Sequence, residues 1–452
     1  MANPARKALR CRALLVGCLK YESLHLRRAE PSRAEPSRAE PKGCSSEEVF
    51  SNSLIHFSSN FLPWSLCQCR KTISARAIRA FRSSKTHSQP LASANNVSDP
   101  LKVIIACGGT GGHLFPGIAV AQELESRGHR VLLLISEKKV DAQASEKYSG
   151  LRFETVKAIA KPPTFSLKMI SFLWNLRKTI KHCGEIIARE NANVILGMGG
   201  FISFPPVVAG SRKGLRTYVH DSNAIPGRSN RMTAKRCAAV LVGLDEAASH
   251  FSGSKVIRTG TPVRDELQNL PSREDACQTF GLDPAKKTLL VMGGSQGAQQ
   301  LNEVVAGGTE DTDWQVLHLA GQVDFDRLST QVGDRQGYKV LAFCSEMAAA
   351  YAASDFCVAR SGASSLTELS YAGLPALLVP YPHAADDHQT ANAQVYEKAG
   401  AAVLKQQKEL NSDALHAMLA ELTEEGIAGM SAAMKALAEP KAAAQIASVI
   451  EG

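Results

Sequence analysis

Long apolar runs are missing from this chain of 452 residues. None approaches the roughly 18 residues that a membrane-crossing helix needs, so the expectation is a protein in solution or on a membrane surface. Paired cysteines are missing too. Five of the 11 cysteines (Cys11, Cys18, Cys44, Cys67, Cys69) lie before residue 100, and the other six are scattered. Cys67 and Cys69 are one residue too close for a zinc knuckle. With neither a disulfide framework nor a metal pattern, a reducing compartment is expected. Residues 101–452 also lack net charge. They hold 36 basic and 36 acidic residues, whereas residues 1–100 hold 16 and 7 and carry the whole excess of +9. A basic face for nucleic acid is therefore not implied.

Residues 1–98 do not read as a core. Arg28 to Pro41 is a near-perfect Arg-Ala-Glu-Pro-Ser repeat, and proline at every fifth place blocks a packed helix or strand. From Val49 to Ser98 there is no Asp or Glu, but there are six basic residues (Arg70, Lys71, Arg76, Arg79, Arg82, Lys85) and many serines. That is the composition of an organelle transit peptide, with a disordered tail as the plain alternative.

At Leu101 the pattern changes. Lys102 to Cys107 is a buried-strand run, followed by Gly108-Gly109-Thr110-Gly111-Gly112-His113 and a helix with Ile118, Ala121 and Leu124 on one stripe. Further strands are expected at Val131–Ile135, Asn193–Leu196, Thr217–His220 and Val240–Val242. The theme restarts at Thr288–Met292, with Gly293-Gly294-Ser295-Gln296-Gly297-Ala298 opening the next helix. Strands follow at Val316–Leu319, Lys339–Phe343, Asp355–Ala359 and Ala376–Pro380, and helices fill Ser412 to Ile450. Strands alternating with helices predict an α/β fold of two doubly wound parallel sheets in tandem. The link falls near Gly260-Thr261-Pro262, giving domains at 99–262 and 263–452.

Each glycine turn exposes backbone N–H groups at a helix start, where the helix dipole adds positive potential; that suits a diphosphate. A nicotinamide dinucleotide is disfavoured because the fingerprint's third glycine is replaced by Leu114 and the second turn also fails the spacing.

Taken together, Gly108 to Gly117, Gly197-Met198-Gly199-Gly200-Phe201, His220-Asp221-Ser222-Asn223, Gly260-Thr261-Pro262-Val263-Arg264, Gly293 to Ala298, Arg360 to Glu368 and Asp387 to Ala393 fall in the order of the MurG family. The resemblance covers nearly all of 101–452. It implies two facing Rossmann-like domains, the glycosyltransferase B arrangement. The first would take a lipid acceptor and the second the nucleotide sugar, with the last helices crossing back. The implied reaction is inverting transfer of N-acetylglucosamine from UDP-N-acetylglucosamine to a polyprenyl-diphosphate-linked muramoyl peptide, without a metal or other cofactor. Combined with the leader, it implies a plastid enzyme on the stromal face of the inner envelope or thylakoid membrane.

Inverting transfer needs a base for the acceptor hydroxyl and stabilisation of the departing UDP. His113 is the first candidate base and Asp221 the second. Asp221 is one carbon shorter than the family's Glu, and its alternative role is to hold the loop before Asn223. The resemblance assigns UDP-sugar contacts to Thr110, Gly111, Gly112, Asn223, Ser295, Gln296, Gly297, Ala363, Ser364, Ser365, Leu366 and Thr367. Arg264 would donate to phosphate, or else form an interdomain salt bridge. Glu368 would accept from the ribose, Phe343 and Cys344 would read uracil, and Gln389 and Asn392 would contact sugar hydroxyls. His383, Asp386, Asp387 and His388 make a metal-like cluster without first-shell zinc spacing. Phe172, Leu173 and Trp174, with Arg177 and Lys178, fit an interfacial helix or a core helix with a basic outer face. The rival readings are a plastid galactosyltransferase acting on diacylglycerol, disfavoured by its different glycine turn, and a non-catalytic UDP-sugar-binding scaffold.

Overall fold

The computed structural model describes residues 99–157, 168–294 and 298–452. The leader expected at 1–98, and Ser295, Gln296 and Gly297, lie outside the described residues. The first domain runs β1 (Lys102–Ala106), α1 (Gly111–Ser126), β2 (Arg130–Ile135), α2 (Lys139–Lys147), β3 (Phe153–Thr155), α3 (Lys168–Glu190), β4 (Val194–Gly197), α4 (Gly200–Arg212), β5 (Arg216–Asp221), α5 (Arg228–Thr233), β6 (Ala239–Val242) and β7 (Val256–Arg258). The second runs α6 (Arg273–Phe280), β8 (Thr288–Met292), α7 (Gln299–Gly308), β9 (Gln315–Leu319), α8 (Phe325–Val332), β10 (Tyr338–Leu341), α9 (Met347–Ala352), β11 (Phe356–Ala359), α10 (Ala363–Ala372), β12 (Ala376–Leu378), α11 (His388–Lys398) and β13 (Ala402–Leu404). Helices α12 (Ser412–Glu421), α13 (Glu424–Ala436) and α14 (Ala442–Glu451) complete the chain.

Both sheets are parallel throughout. Their orders are β3-β2-β1-β4-β5-β6-β7 and β10-β9-β8-β11-β12-β13. The central strands are buried on both faces, which is why they read as unbroken apolar runs. In β1, Val103 and Ile105 point into one core layer while Ile104 and Ala106 point into the other. In β8, Leu290 and Met292 alternate with Leu289 and Val291 in the same way. Strands β3, β7 and β13 were not expected; each is three residues long and too short to print a pattern. Strand β10 stops at Leu341, so Phe343 and Cys344 sit in the following loop rather than ending a strand.

Leu114 does not fill the place of the dinucleotide fingerprint's third glycine; Gly117 does. A Cβ there would lie 2.3 Å from the Cys107 Cβ, so α1 can press onto the end of β1 only because residue 117 has no side chain.

The chain crosses between the domains twice. The outward crossing follows β7 at Thr259–Thr261, and the return precedes α14. The two crossings touch: Gly260 has φ +71°, and a Cβ on it would lie 2.5 Å from the Glu439 Cβ. Ile446, Ala447 and Ile450 of α14 are wholly buried in the core cluster that holds Val103 and Ile105 of β1. Arg127 and His129 hold Glu451 at 2.8 and 2.9 Å.

Candidate active site

In open α/β sheets ligands sit where strand order reverses, beyond the carboxyl ends of the strands. The first sheet reverses between β1 and β4, the second between β8 and β11. Helix α1 starts beyond β1 with Thr110 as N-cap and no side-chain capping bond. Helix α10 starts beyond β11 with Gly362 as N-cap and again no side-chain cap. The two starts meet. Ser364 Oγ, in the first turn of α10, donates to the Gly112 carbonyl at 3.2 Å. Pro116 explains why that carbonyl is open: it lies four residues on and has no N–H to return to Gly112.

The His113 ring lies on the glycine turn at Gly199-Gly200. A Cβ on Gly199 would be 2.8 Å from its Cε1, and Gly199 has φ +109°, so glycine is required there twice over. Desolvation holds the imidazole pKa below its usual value, opposed by the Asp221 charge and then by a hydrogen bond to the Met198 carbonyl. The ring is therefore neutral near pH 7 and able to take a proton.

Asp221, the second candidate base, is fully occupied. Its Oδ1 accepts from the backbone N–H and side-chain amide of Asn223, both at 3.1 Å. Its Oδ2 accepts from Gly227 N–H at 2.8 Å and Asn230 Nδ2 at 2.9 Å. Four donors fill a carboxylate's acceptor sites, so the geometry gives Asp221 the loop-holding role and an electrostatic hold on His113.

Asn392 is placed otherwise than expected. It is wholly buried, and its oxygen accepts from Ala224 N–H at 2.8 Å. Its amide donates to Asn223 Oδ1 at 3.1 Å and to the Ser361 carbonyl at 3.2 Å. Both N–H groups are taken, so it has no donor left for a sugar hydroxyl; it clasps the two domains. Gln389 lies in the first turn of α11, its oxygen accepting from Tyr381 N–H at 2.9 Å. Leu366 has its side chain wholly in the core and can offer only backbone, whereas Ala363, Ser364, Ser365 and Thr367 are half-buried around the start of α10. Phe343 stands in solvent, 70% exposed, and Cys344 is buried.

Arg264 is buried between two carboxylates, Glu266 at 2.9 Å and Glu368 at 3.4 Å. Its guanidinium lies 4.6 Å from the ring centre of Phe115 on α1. Both salt bridges lie within the second domain, so the interdomain bridge expected as the alternative is not formed; the contact of Arg264 across the domains is with Phe115. Its Nε has no partner among the described residues. The metal-like cluster is dispersed. Asp386 pairs with Arg228 and Arg231 at 2.7 and 2.6 Å, Asp387 takes Thr390 Oγ1, and His388 Nδ1 donates to the Ala385 carbonyl. No group of metal-ligating side chains occurs among the described residues.

Sequence reasoning missed Asp141. It is wholly buried and accepts from Gly109 N–H at 2.8 Å, Ser136 N–H at 2.7 Å and the Ser136 hydroxyl. It shapes the first glycine turn, and a Cβ on Gly108 would lie 2.5 Å from its Oδ2. No spacing rule points to it, because its partners come from other elements.

Helix α3 turns its apolar residues both ways. Ile170, Leu173 and Trp174 are 73%, 49% and 59% exposed, but Phe172 is only 8% exposed and faces the protein, which removes it from any membrane contact. Arg177 and Lys178 are exposed, with the Lys178 ammonium 3.3 Å from the Trp174 ring centre.

Residues 103–242 match the glycosyltransferase family 28 N-terminal domain, and residues 288–448 match the family 28 C-terminal domain. The chain belongs to glycosyltransferase family 28. Two curated relatives named UDP-N-acetylglucosamine–N-acetylmuramyl-(pentapeptide) pyrophosphoryl-undecaprenol N-acetylglucosamine transferase resemble this family 28 chain along most of its length. The one from Halorhodospira halophila is 36% identical over 369 residues, 77% of this chain and 97% of its own. The one from Halothermothrix orenii is 30% identical over 367 residues, 78% and 98% respectively. The crystal structure of Acinetobacter baumannii MurG has the same fold, with a TM-score of 0.63 at 24% identity, covering 78% of this chain and 99% of its own. This family 28 chain is thus a glycosyltransferase of the MurG type with the glycosyltransferase B fold.

Asn392→Ala strands the Ala224 N–H and the Ser361 carbonyl and should lower unfolding free energy by about 2–4 kcal/mol in urea melts without ligand. Unchanged stability with a raised KM for the nucleotide sugar would instead make Asn392 a sugar contact.

Proposed function

We propose that this chain transfers N-acetylglucosamine from UDP-N-acetylglucosamine to the 4-hydroxyl of a polyprenyl-diphosphate-linked N-acetylmuramoyl pentapeptide, forming lipid II for peptidoglycan. The names of its relatives support the substrates. The observation that carries the chemistry is a neutral imidazole, His113, beside two uncapped helix starts at facing switch points. His113 takes the proton of the acceptor hydroxyl as that oxygen bonds to the anomeric carbon and the bond to UDP breaks on the opposite face. The diphosphate leaves into the field of the α10 start, joined by Thr110, Gly111 and Gly112. Glu368, five residues into α10 and so roughly 7 Å along the helix, then meets the ribose. Arg264 lies beside it.

With the full chain, UDP-N-acetylglucosamine and a synthetic muramoyl-diphosphoryl lipid should give the disaccharide lipid; transfer from UDP-galactose to diacylglycerol would favour the rival enzyme. A base must be unprotonated, so kcat/KM should fall as pH drops through the lowered pKa of His113, below 6.5. His113→Ala should cost about 10²–10⁴-fold in kcat. Full transfer by that variant would remove His113 as the base.

The acceptor's lipid favours a membrane-surface role for α3. Ile170, Leu173 and Trp174 form one stripe at i, i+3 and i+4, flanked by Arg177 and Lys178. Trp174→Glu should reduce cosedimentation with vesicles containing anionic lipid at least severalfold. Equal binding would leave α3 as an ordinary surface helix.

The leader's serine-rich, acid-poor stretch supports an organelle address, and the peptidoglycan-type reaction behind it favours the plastid over the mitochondrion, peripheral on the stromal side. Residues 1–98 fused to a fluorescent protein should be imported by isolated chloroplasts; exclusion from them, or uptake by mitochondria, would overturn this address.

A further inference from the structure

A ribose acceptor at Glu368 must have its carboxylate aimed. Glu368 lies in the second turn of α10 with its side chain 14% exposed. Behind it, Tyr351 of α9 is only 3% exposed, and its hydroxyl donates to Glu368 Oε2 at 2.7 Å. On the other oxygen, Arg264 Nη2 donates at 3.4 Å.

A carboxylate offers about four acceptor sites, two on each oxygen. Tyr351 and Arg264 take one on each. One site per oxygen remains, the pattern that two vicinal hydroxyls on a sugar ring can fill together. Burial, and then the Glu368 charge, push the Tyr351 phenol well above its usual pKa, so it remains a donor at any physiological pH. A charge-assisted bond from a buried, rigid phenol fixes the carboxylate plane more firmly than a solvated partner could.

We propose that Tyr351 is a positioning residue for nucleotide recognition, orienting the Glu368 carboxylate to receive the 2′- and 3′-hydroxyls of the donor's ribose. Tyr351 touches no substrate. It sets the selectivity of the site for ribonucleotide over deoxyribonucleotide donors. This rests on the ribose role of Glu368, and the test separates the two.

The full chain is titrated calorimetrically with UDP and 2′-deoxy-UDP, and KM and kcat are measured for UDP-N-acetylglucosamine. The wild type should bind UDP more tightly than 2′-deoxy-UDP, and Glu368→Gln should lose most of that preference. Tyr351→Phe keeps the ring and removes only the hydroxyl. It should raise KM about three- to tenfold with kcat nearly unchanged and shrink the ribose preference at least threefold. In the Glu368→Gln background it should add nothing, because its effect runs through the carboxylate.

A wild type indifferent to the 2′-hydroxyl would overturn the ribose role of Glu368 itself. A discriminating wild type whose Tyr351→Phe variant discriminates equally would overturn only the positioning role. So would a Tyr351→Phe effect that persists in full without Glu368, as from general loosening of α9. If Tyr351→Phe does not fold, Tyr351→Met tests the same point with a side chain that cannot donate; full discrimination there would also overturn the proposal.

Discussion

One buried amide fixes how two sheets that share no strand face each other. Asn392, on the second domain, satisfies the Ala224 N–H and Asn223 side chain of the first domain and the Ser361 carbonyl of its own. Sliding the domains would leave several buried polar groups unpaired at once, which is costly in a dry interior. The exposed pairing of Arg228 and Arg231 with Asp386 adds to this hold, but solvent screens it and its share is small. Beside the clasp, Pro116 leaves the Gly112 carbonyl open to Ser364. The two helix starts that frame the cleft are thereby held at hydrogen-bonding distance by one side-chain hydroxyl on one backbone carbonyl.

Within that frame the work is divided between side chains that touch the cleft and side chains that aim them. His113 rests on a glycine turn that leaves no room for a Cβ. Asp221 spends its lone pairs on its own loop and acts on His113 through space. Asp141 does for the first glycine turn what Asp221 does for the loop after β5. The active groups are short-ranged, and their precision comes from buried carboxylates and amides behind them.

The sheets were legible because parallel strands covered on both faces must be apolar through most of their length, as Val103–Ala106 of β1, Val194–Leu196 of β4, Leu289–Met292 of β8 and Phe356–Ala359 of β11 are. The short edge strands β3, β7 and β13 lack the length to declare themselves. The glycine turns and His113 were legible because backbone geometry demands those residue types in a row. Asp141, Tyr351 and the clasping role of Asn392 were not, since Gly109, Glu368 and Ala224, the partners that give them their roles, lie 32, 17 and 168 positions away. Phe172 could have been read correctly. Ile170, Leu173 and Trp174 define one helical stripe, and a residue two places from Ile170 falls on the opposite side.

Helix α14 has a consequence for the order in which the chain matures. Ile446, Ala447 and Ile450 plug the core laid down around β1 and α1, more than three hundred residues earlier. A ribosome releasing this chain from its amino end delivers the first sheet long before the helix that seals it. Until the last turn emerges, the earliest-made domain carries an open apolar seam, while the later-made domain can close without waiting.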